Sequence, residues 1–154
     1  MNHQIVQLKQ EVMIGEKMVR VNCGIEPEHL ADQHLVAEYR EILLAFGYYD
    51  NNGKDLKTSD NNLKHPIRFY NDKRIYLIER FFDLKQEMIN RGMKPTKDII
   101  LKDVDMSLFN KFIPGNEHIN RIKRRVMRRI NEKPNWYRYC GTYQPPEFFE
   151  ELMK

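Results

Sequence analysis

The chain is poor in the residues and segments that mark several common protein classes. It has two cysteines in 154 residues, Cys23 and Cys140, and they form no CxxC pair. Neither a zinc site nor a disulfide framework is therefore indicated, and a reducing cytoplasm is the expected compartment. No apolar run reaches the length of about 18 residues that a membrane span needs, and no signal-peptide core is present. We expect a soluble intracellular protein.

The short motifs of common catalytic classes are absent as well. The sequence contains no HExxH, GxSxG, P-loop or GxGxxG pattern, and it has no internal repeat. What remains is a chain of 154 residues with 41% hydrophobic content. That length and composition suit one domain with one core, without metal or disulfide staples.

Positive charge is concentrated in one part of the chain. The net charge is only +4, yet residues 121–138 carry eight basic side chains against one acid, Glu132. The basic residues are Arg121, Lys123, Arg124, Arg125, Arg128, Arg129, Lys133 and Arg138. Such a stripe beside aromatic residues favours a polyanion partner, because neutralised phosphates release counterions. A solvated basic face with no ligand is the alternative.

Apolar periodicity predicts an all-α fold, a single compact domain of three main helices with long irregular connections. The predicted helices span residues 27–46, 67–90 and 117–132. Pro27 suits a first helical turn and Gly47 a helix end, and residues 48–64 are predicted to form a polar loop. The apolar stripe of the third helix predicts that its arginines face outwards. Residues 98–109 are ambiguous between strand and helix, and the C-terminal segment is predicted to be irregular.

One side of the first predicted helix is polar and the other apolar when residues are placed at about 100° intervals. The polar side has Gln33, Ala37, Arg40, Glu41 and Leu44, with His34 at its edge. The opposite side has Leu35, Tyr39, Ile42 and Phe46. Periodicity alone favours a solvated surface, because helix surfaces are usually this polar. The other interpretation is an active-site wall, in which the small Ala37 leaves room for a ligand beside Glu41.

Three ordered segments of the chain carry a resemblance to a known family. They are LADQHLVAEYRE at 30–41, HPIRFYNDKRIYLIERFFDLKQEMINRGM at 65–93, and KPNWYRYCG at 133–141. They are similar to the first helix, the second helix and the Trp-Tyr-x-Tyr signature of the pyrimidine dimer DNA glycosylase and AP lyase family, typified by endonuclease V of T-even bacteriophages. The resemblance covers about residues 18–141. It implies a monomer that acts on double-stranded DNA containing a lesion, without metal or cofactor, in a bacterial or phage-infected cytoplasm.

The resemblance also implies a mechanism based on a chain terminus. In this family the nucleophile is the α-amine that remains after removal of the initiator methionine. It attacks C1′ of the damaged nucleotide, expels the base and forms an imine, and β-elimination then cuts the strand. An α-amine has a pKa of about 7.7–8.0, so roughly a tenth of it is unprotonated at neutral pH. A helix-borne glutamate stabilises the cationic sugar and moves protons, a role that falls on Glu41.

The nucleophile does not correspond to the residue after Met1, because Met1 lies seventeen residues upstream of the matching position. Residues 18–22, MVRVN, resemble the family's start, which is Met-Thr-Arg, a hydrophobic residue and Asn. Residues 15–17, GEK, can be encoded by a purine-rich run placed like a bacterial ribosome-binding site. We therefore predict translation from Met18 and removal of that methionine, with Val19 as the nucleophile. Residues 1–17 would be a mis-assigned or disordered extension and 18–154 the domain.

Two alternatives remain open at this terminus. An unprocessed extension would block the site and leave a non-catalytic DNA-binding protein. It could also leave Lys17 to act through its ε-amine.

Further residues match DNA contacts of the family. Arg20 matches the arginine beside the nucleophile, which grips DNA at the lesion. On the first helix, Gln33, His34 and Arg40 match residues that face the DNA backbone and the opened sugar. On the third helix, Arg125 and Arg129 match cations of the phosphate-binding surface.

The C-terminal aromatic residues and two departures from the family limit what the resemblance implies. Trp136, Tyr137 and Tyr139 match a segment that either packs beside the lesion or lies in the core, and we expect Trp136 to be buried because indoles usually are. Leu43 and Leu44 stand where the family has Pro and Arg, so a phosphate contact is missing. The family flips the adenine opposite the dimer, and its pocket here can differ. The same chemistry on another damaged or modified base is therefore an alternative.

Overall fold

The computed structural model describes residues 21–52, 69–101 and 105–154. Within these ranges the chain forms four α-helices, one hairpin and two short 3₁₀ turns. The helices and strands are α1 (Asp32–Asn52), α2 (Arg74–Asn90), α3 (Asn116–Glu132), β1 (Arg138–Tyr139), β2 (Thr142–Tyr143) and α4 (Pro146–Leu152). The predicted all-α class is confirmed, since each strand has only two residues. None of the helices in these ranges has the length and apolar content needed to cross a membrane.

One hydrophobic cluster unites all four helices. Its members include Leu35, Ile42 and Phe46 of α1, Leu77, Phe81 and Leu84 of α2, Ile122, Val126 and Ile130 of α3, and Phe149 of α4. Between α1 and α2, the rings of Tyr39 and Phe81 stack with centroids 5.2 Å apart. The predicted apolar sides of the first and third helices are therefore confirmed as the sides that build the core.

The predicted bounds of the first helix are wrong at both ends. Pro27–His29 forms a separate 3₁₀ turn, because Leu30 after it is extended, with φ −92° and ψ 144°. The α-helix then begins at Asp32 and continues through Gly47 to Asn52. A glycine costs a helix only about 1 kcal/mol and does not end it alone. The predicted loop at 48–64 therefore loses its first residues to α1, and 53–64 lie outside the described residues.

The second helix begins later than predicted, at Arg74 rather than Ile67. A turn precedes it, in which the Lys73 amide donates to the carbonyl of Tyr70 at 2.9 Å. Lys73 is non-helical, with φ −124° and ψ 43°, so the helix cannot extend towards residue 67, which itself is not described. The predicted end is confirmed, because Gly92 follows with a left-handed φ of 85°.

The C-terminal part is ordered where the sequence predicted irregular structure. Cys140 and Gly141 have φ of 51° and 82°, the left-handed pair that joins two strands by a two-residue turn. Helix α4 follows, and its Phe149 is buried in the core. The ambiguous stretch 98–109 has no strand among its described residues and forms one 3₁₀ turn, Met106–Leu108. Residues 102–104 are not described.

Candidate active site

A pocket of about 580 Å³ lies between α1, the end of α2 and the turn of the hairpin. On the α1 side it is lined by Asp32, Gln33, Val36, Ala37 and Arg40. Three of these five residues, Gln33, Ala37 and Arg40, belong to the polar side predicted from the sequence. The structure thus places that side in the wall of a pocket, with the small Ala37 between two long polar side chains. Its volume lies within the range of about 300–1,000 Å³ typical of ligand pockets.

Asp32 fastens the hairpin turn to the first residue of α1. Its Oδ1 accepts hydrogen bonds from the Cys140 amide at 3.0 Å and from Arg91 Nη1 at 2.9 Å. Its Oδ2 accepts from the Gly141 amide at 2.8 Å. Because Asp32 is buried, these three donors replace the water that the carboxylate loses. They also fix the distance between helix and turn, and with it the width of the pocket.

Arg91 is the second anchor of the same wall. Its Nε donates to Glu87 at 2.7 Å, Nη2 donates to the carbonyl of Pro27 at 3.1 Å, and its guanidinium lies 4.3 Å from the ring centroid of Tyr139. Burial acts to lower the pKa of Arg91, but hydrogen bonds to Glu87 and Asp32 outweigh it and raise that pKa. Arg91 therefore stays charged, and its bonds to Asp32 and Pro27 join the residue after α2 to the start of α1 and the 3₁₀ turn before it.

Gln33 and His34 contact the C-terminal segment. Gln33 Nε2 donates to the carbonyl of Trp136 at 2.9 Å, and Gln33 Oε1 accepts from the amide of Arg138 at 3.0 Å. His34 stacks on Tyr137 with ring centroids 4.8 Å apart. In this structure both side chains join α1 to the segment before β1. Their predicted contacts with DNA stay predictions.

The predicted catalytic residues are only partly described. Glu41 is half-buried on α1, next to the exposed Arg40. Arg40 lines the pocket, whereas Glu41 does not. Val19 and Arg20 lie outside the described residues, and the first described residue, Val21, is buried in the core.

The sequence reasoning missed a buried ion pair next to these residues. Glu38 is 0% exposed although it is charged. Its carboxylate accepts from Arg80 Nε at 2.6 Å, from Arg80 Nη2 at 3.0 Å and from Asn22 Nδ2 at 3.1 Å. A signal was available, because Glu38 lies three residues after Leu35 and four before Ile42, which is a core position. A charge there requires a buried partner.

Helix α3 exposes half of its six lysine and arginine side chains to solvent. Arg121, Arg124 and Arg128 are exposed, and Arg129 is half-buried, with its Nε 3.7 Å from Glu132 Oε1.

The prediction that all its arginines face outwards is wrong for Arg125, which is 5% exposed. Arg125 lies between Ile122 and Val126 on the apolar stripe, so its backbone position directs it inwards. Its predicted phosphate contact stays a prediction.

The expectation that Trp136 lies in the core is wrong, since this residue is 47% exposed. Asn135 has a left-handed φ of 67° and turns the chain after α3, so that Tyr137 takes the buried position. The Tyr137 ring meets the indole edge-on at 4.9 Å. Lys133 Nζ lies 4.8 Å from the indole centroid. An exposed aromatic ring with a cation beside it is a surface on which a base can stack.

The fold and the site define an all-α protein with a pocket beside α1 and a helix, α3, that exposes cations, the kind of surface that binds polyanions. Among the described residues, no group of three or more His, Cys, Asp or Glu side chains is arranged to hold a metal ion. Residues 18–101 match the family model of the pyrimidine dimer DNA glycosylases. The match covers more than half of the 154 residues. The chain therefore belongs to the pyrimidine dimer DNA glycosylase family and is a DNA repair glycosylase. Two of the three segments that predicted this family, 30–41 and 65–93, lie within the match.

Proposed function

We propose that the protein cleaves an N-glycosidic bond at cyclobutane pyrimidine dimers in double-stranded DNA and then cleaves the abasic site as an AP lyase. The Val19 α-amine attacks C1′ of the damaged nucleotide, and the electrons of the glycosidic bond pass to the base, which stays joined to its neighbour through the cyclobutane ring. The sugar ring opens and is held as an imine. Loss of a C2′ proton then eliminates the 3′-phosphate, and hydrolysis of the imine returns the free amine.

The observation that carries this proposal is the start of the family match at Met18. Met18 is also the initiator that the sequence predicts. Removal of that one methionine leaves the amine of Val19 at the position where the family has its nucleophile. An α-amine with a pKa of about 7.7–8.0 supplies unprotonated nitrogen at neutral pH, which an ordinary lysine at about 10.4 does not.

The position of Asn22, three residues after Val19 and in contact with α1, supports this proposal. Asn22 Nδ2 lies 3.1 Å from Glu38 Oε1. Glu41 follows Glu38 by three residues on α1, so their Cβ atoms are about 5–6 Å apart. Val19 precedes Asn22 by three residues, a distance of at most about 10 Å along the chain. Glu41 can therefore stabilise the cationic sugar and take up the protons that the amine releases.

We infer that the pocket beside α1 receives an extruded nucleotide. The family flips the adenine opposite the dimer, and a base that has left the stack needs a pocket in the protein. Arg40 and Arg138 line the pocket and bring positive charge to the phosphates that flank the base. Leu44, which is exposed on α1, stands where the family has an arginine, so that phosphate contact is absent and lesion choice can differ.

Borohydride trapping on duplex DNA with one abasic site tests the lyase step. Protein made from the native gene should form a covalent adduct, and peptide mapping should place it on Val19. Glu41→Gln should lower the rate of strand cleavage by at least about 100-fold with little change in DNA affinity, because the proton acceptor is lost. The matched control is Glu79→Gln, which changes an exposed glutamate of α2 and should keep the wild-type rate.

Two further outcomes decide among the alternatives. No adduct from the native-gene protein would leave a non-catalytic DNA-binding protein. An adduct with abasic DNA but equal activity on irradiated and intact duplex would indicate that the same chemistry acts on another damaged or modified base.

Intact mass of the protein made from its native gene decides the nucleophile. The proposal requires a chain that begins at Val19. A chain that begins at Met1 or Asn2 would refute it and leave Lys17 as the nearest candidate amine.

A further inference from the structure

Arg80 makes four hydrogen bonds from inside the core, and they join three parts of the chain. Two go to the carboxylate of Glu38 on α1, at 2.6 and 3.0 Å. The other two go to the backbone carbonyls of Ile25 at 2.7 Å and Asn22 at 2.9 Å. Arg80 itself belongs to α2. The guanidinium thus holds the segment before α1 against both long helices.

The two carbonyls belong to one tight turn. The amide of Ile25 donates to the carbonyl of Asn22 at 3.1 Å, and Gly24 has the left-handed φ of 83° that such a turn needs. Arg80 binds the first and last residue of this turn through backbone atoms. The side chain of Asn22 adds a bond to Glu38 at 3.1 Å. The turn is therefore fixed in both position and orientation.

Stability alone does not explain an ion pair at this place. Taking two charges out of water costs several kcal/mol per ion, and apolar residues of equal volume often stabilise a core as well or better. Burial acts to lower the pKa of Arg80, but the charge of Glu38 outweighs it and raises that pKa. The guanidinium of Arg80 therefore stays charged. What it supplies beyond packing is directional bonding, which fixes geometry more tightly than apolar contact does.

Arg80 fixes the two described segments that lie nearest in sequence to the proposed catalytic residues. Asn22 stands three residues after Val19, and Glu38 stands three residues before Glu41. Arg80 contacts both Asn22 and Glu38 directly. A shift of about 1 Å between reacting groups can lower a rate by about 100-fold. A device that holds these two segments in register therefore bears directly on the rate of the chemical step.

We propose that Arg80 is a positioning residue that, through Glu38 and the Asn22–Ile25 turn, aligns the Val19 α-amine with Glu41. This inference rests on the proposed function. Arg80 contacts neither the DNA nor the reacting atoms in this role. It acts on the chemical step and leaves the binding of DNA to other residues.

Asn22→Ala tests the proposal with little disturbance of the fold. It removes the bond from Nδ2 to Glu38 and leaves the four bonds of Arg80 in place. The matched control is Asn71→Ala, which removes another buried asparagine bonded to a buried arginine, Arg74, at 3.4 Å. At saturating abasic DNA, Asn22→Ala should slow borohydride trapping about 10-fold or more, with the DNA dissociation constant changed less than about threefold. Asn71→Ala should trap at the wild-type rate per folded molecule.

Arg80→Lys is the second variant, since a lysine keeps the charge but cannot make the same four bonds. It should slow trapping at least as much as Asn22→Ala, again with nearly unchanged DNA affinity. Wild-type trapping rates in both variants, or equal slowing in Asn71→Ala, would overturn the positioning role. If Arg80→Lys does not fold, Asn22→Ala and its control decide alone. Absence of trapping by the wild-type protein would instead refute the proposed function, so the two failures are distinguishable.

Discussion

At the scale of single residues, Gly24 combines a backbone requirement with a steric one. Its φ of 83° is strained for any residue with a Cβ, and an added Cβ would lie 2.3 Å from Cγ1 of Ile119 on α3. We therefore expect Gly24→Ala to lower the free energy of unfolding by about 2–4 kcal/mol, the sum of left-handed strain and overpacking. Urea denaturation measures this change.

Gly92→Ala is the control for Gly24→Ala, because Gly92 has φ 85° but nothing within 4 Å of an added Cβ. It should lose only the strain component, about 1 kcal/mol. Equal losses in the two variants would mean that the contact with Ile119 relaxes freely.

Residue-scale prediction from the sequence succeeded where periodicity decides and failed where a turn or a buried charge does. Ala37 and Arg40 lie on the side that the helical period assigns them, in the pocket wall. Trp136 is exposed because of the left-handed Asn135 before it, which no hydrophobic pattern reveals. Arg125 is buried on a stripe where the sequence counted it with its exposed neighbours. The sign of the charge predicts what kind of partner a surface binds. It does not predict whether a given side chain points into the core or towards solvent.

At the scale of elements, α4 is an integral part of the core. Phe149 is 0% exposed and belongs to the same cluster as the core residues of α1. Phe149→Ala should lower the free energy of unfolding by about 3–5 kcal/mol, the range for loss of a buried phenylalanine and the resulting cavity. The control is Phe82→Ala, since Phe82 is 55% exposed on α2 and should lose far less. Thermal denaturation of the two variants should separate them, and similar losses would contradict the core role of α4.

His118 makes the start of α3 sensitive to acid. Its ring stacks on Phe69 at 5.9 Å and lies 3.4 Å from the Tyr70 hydroxyl. Burial, and then the cations Arg121, Arg125 and Lys73, lower the pKa of His118 below 6.5. Between the pKa of His118 in the folded protein and its value of 6.5 in the unfolded chain, the unfolded chain therefore binds more protons than the folded one. Stability from His118 is present above pH 6.5 and is lost as the pH falls through the folded pKa.

His118→Gln should remove this dependence. Between about pH 7 and pH 5, its free energy of unfolding should change less than that of the wild type, measured by urea denaturation at each pH. The same pH slope in both proteins would show that His118 does not carry the effect.

Element-scale prediction was accurate for long periodic segments and poor for short ones. The third helix was predicted within one residue of its observed start, Asn116, and at its observed end, Glu132. The hairpin and α4 were missed because each has few residues and gains its stability from tertiary contacts, such as the bonds of Asp32 to the hairpin turn. The continuation of α1 past Gly47 was missed because a glycine only weakens a helix.

At the scale of the whole molecule, the charge of α3 should control how DNA affinity depends on salt. Arg124→Gln removes one exposed cation and should lower the slope of log affinity against log salt by about 1, equally for irradiated and intact duplex. Arg125→Gln is the informative comparison, because Arg125 is buried. Because Arg125 matches a phosphate-binding cation of the family, its loss should lower the salt slope as well, and because Arg125 is buried, its loss should also reduce thermal stability. Filter binding or fluorescence anisotropy across a salt series measures both slopes, and an unchanged slope in either variant would contradict the phosphate contact of that residue.

The contribution of α4 to the core also orders events during synthesis. Phe149 and Met153 join a cluster that includes Val21, near the other end of the domain. This cluster cannot close until residues 146–153 have left the ribosome. Val21 therefore reaches its fully buried position only after α4 has emerged, so the domain completes its core after most of the chain has been synthesised.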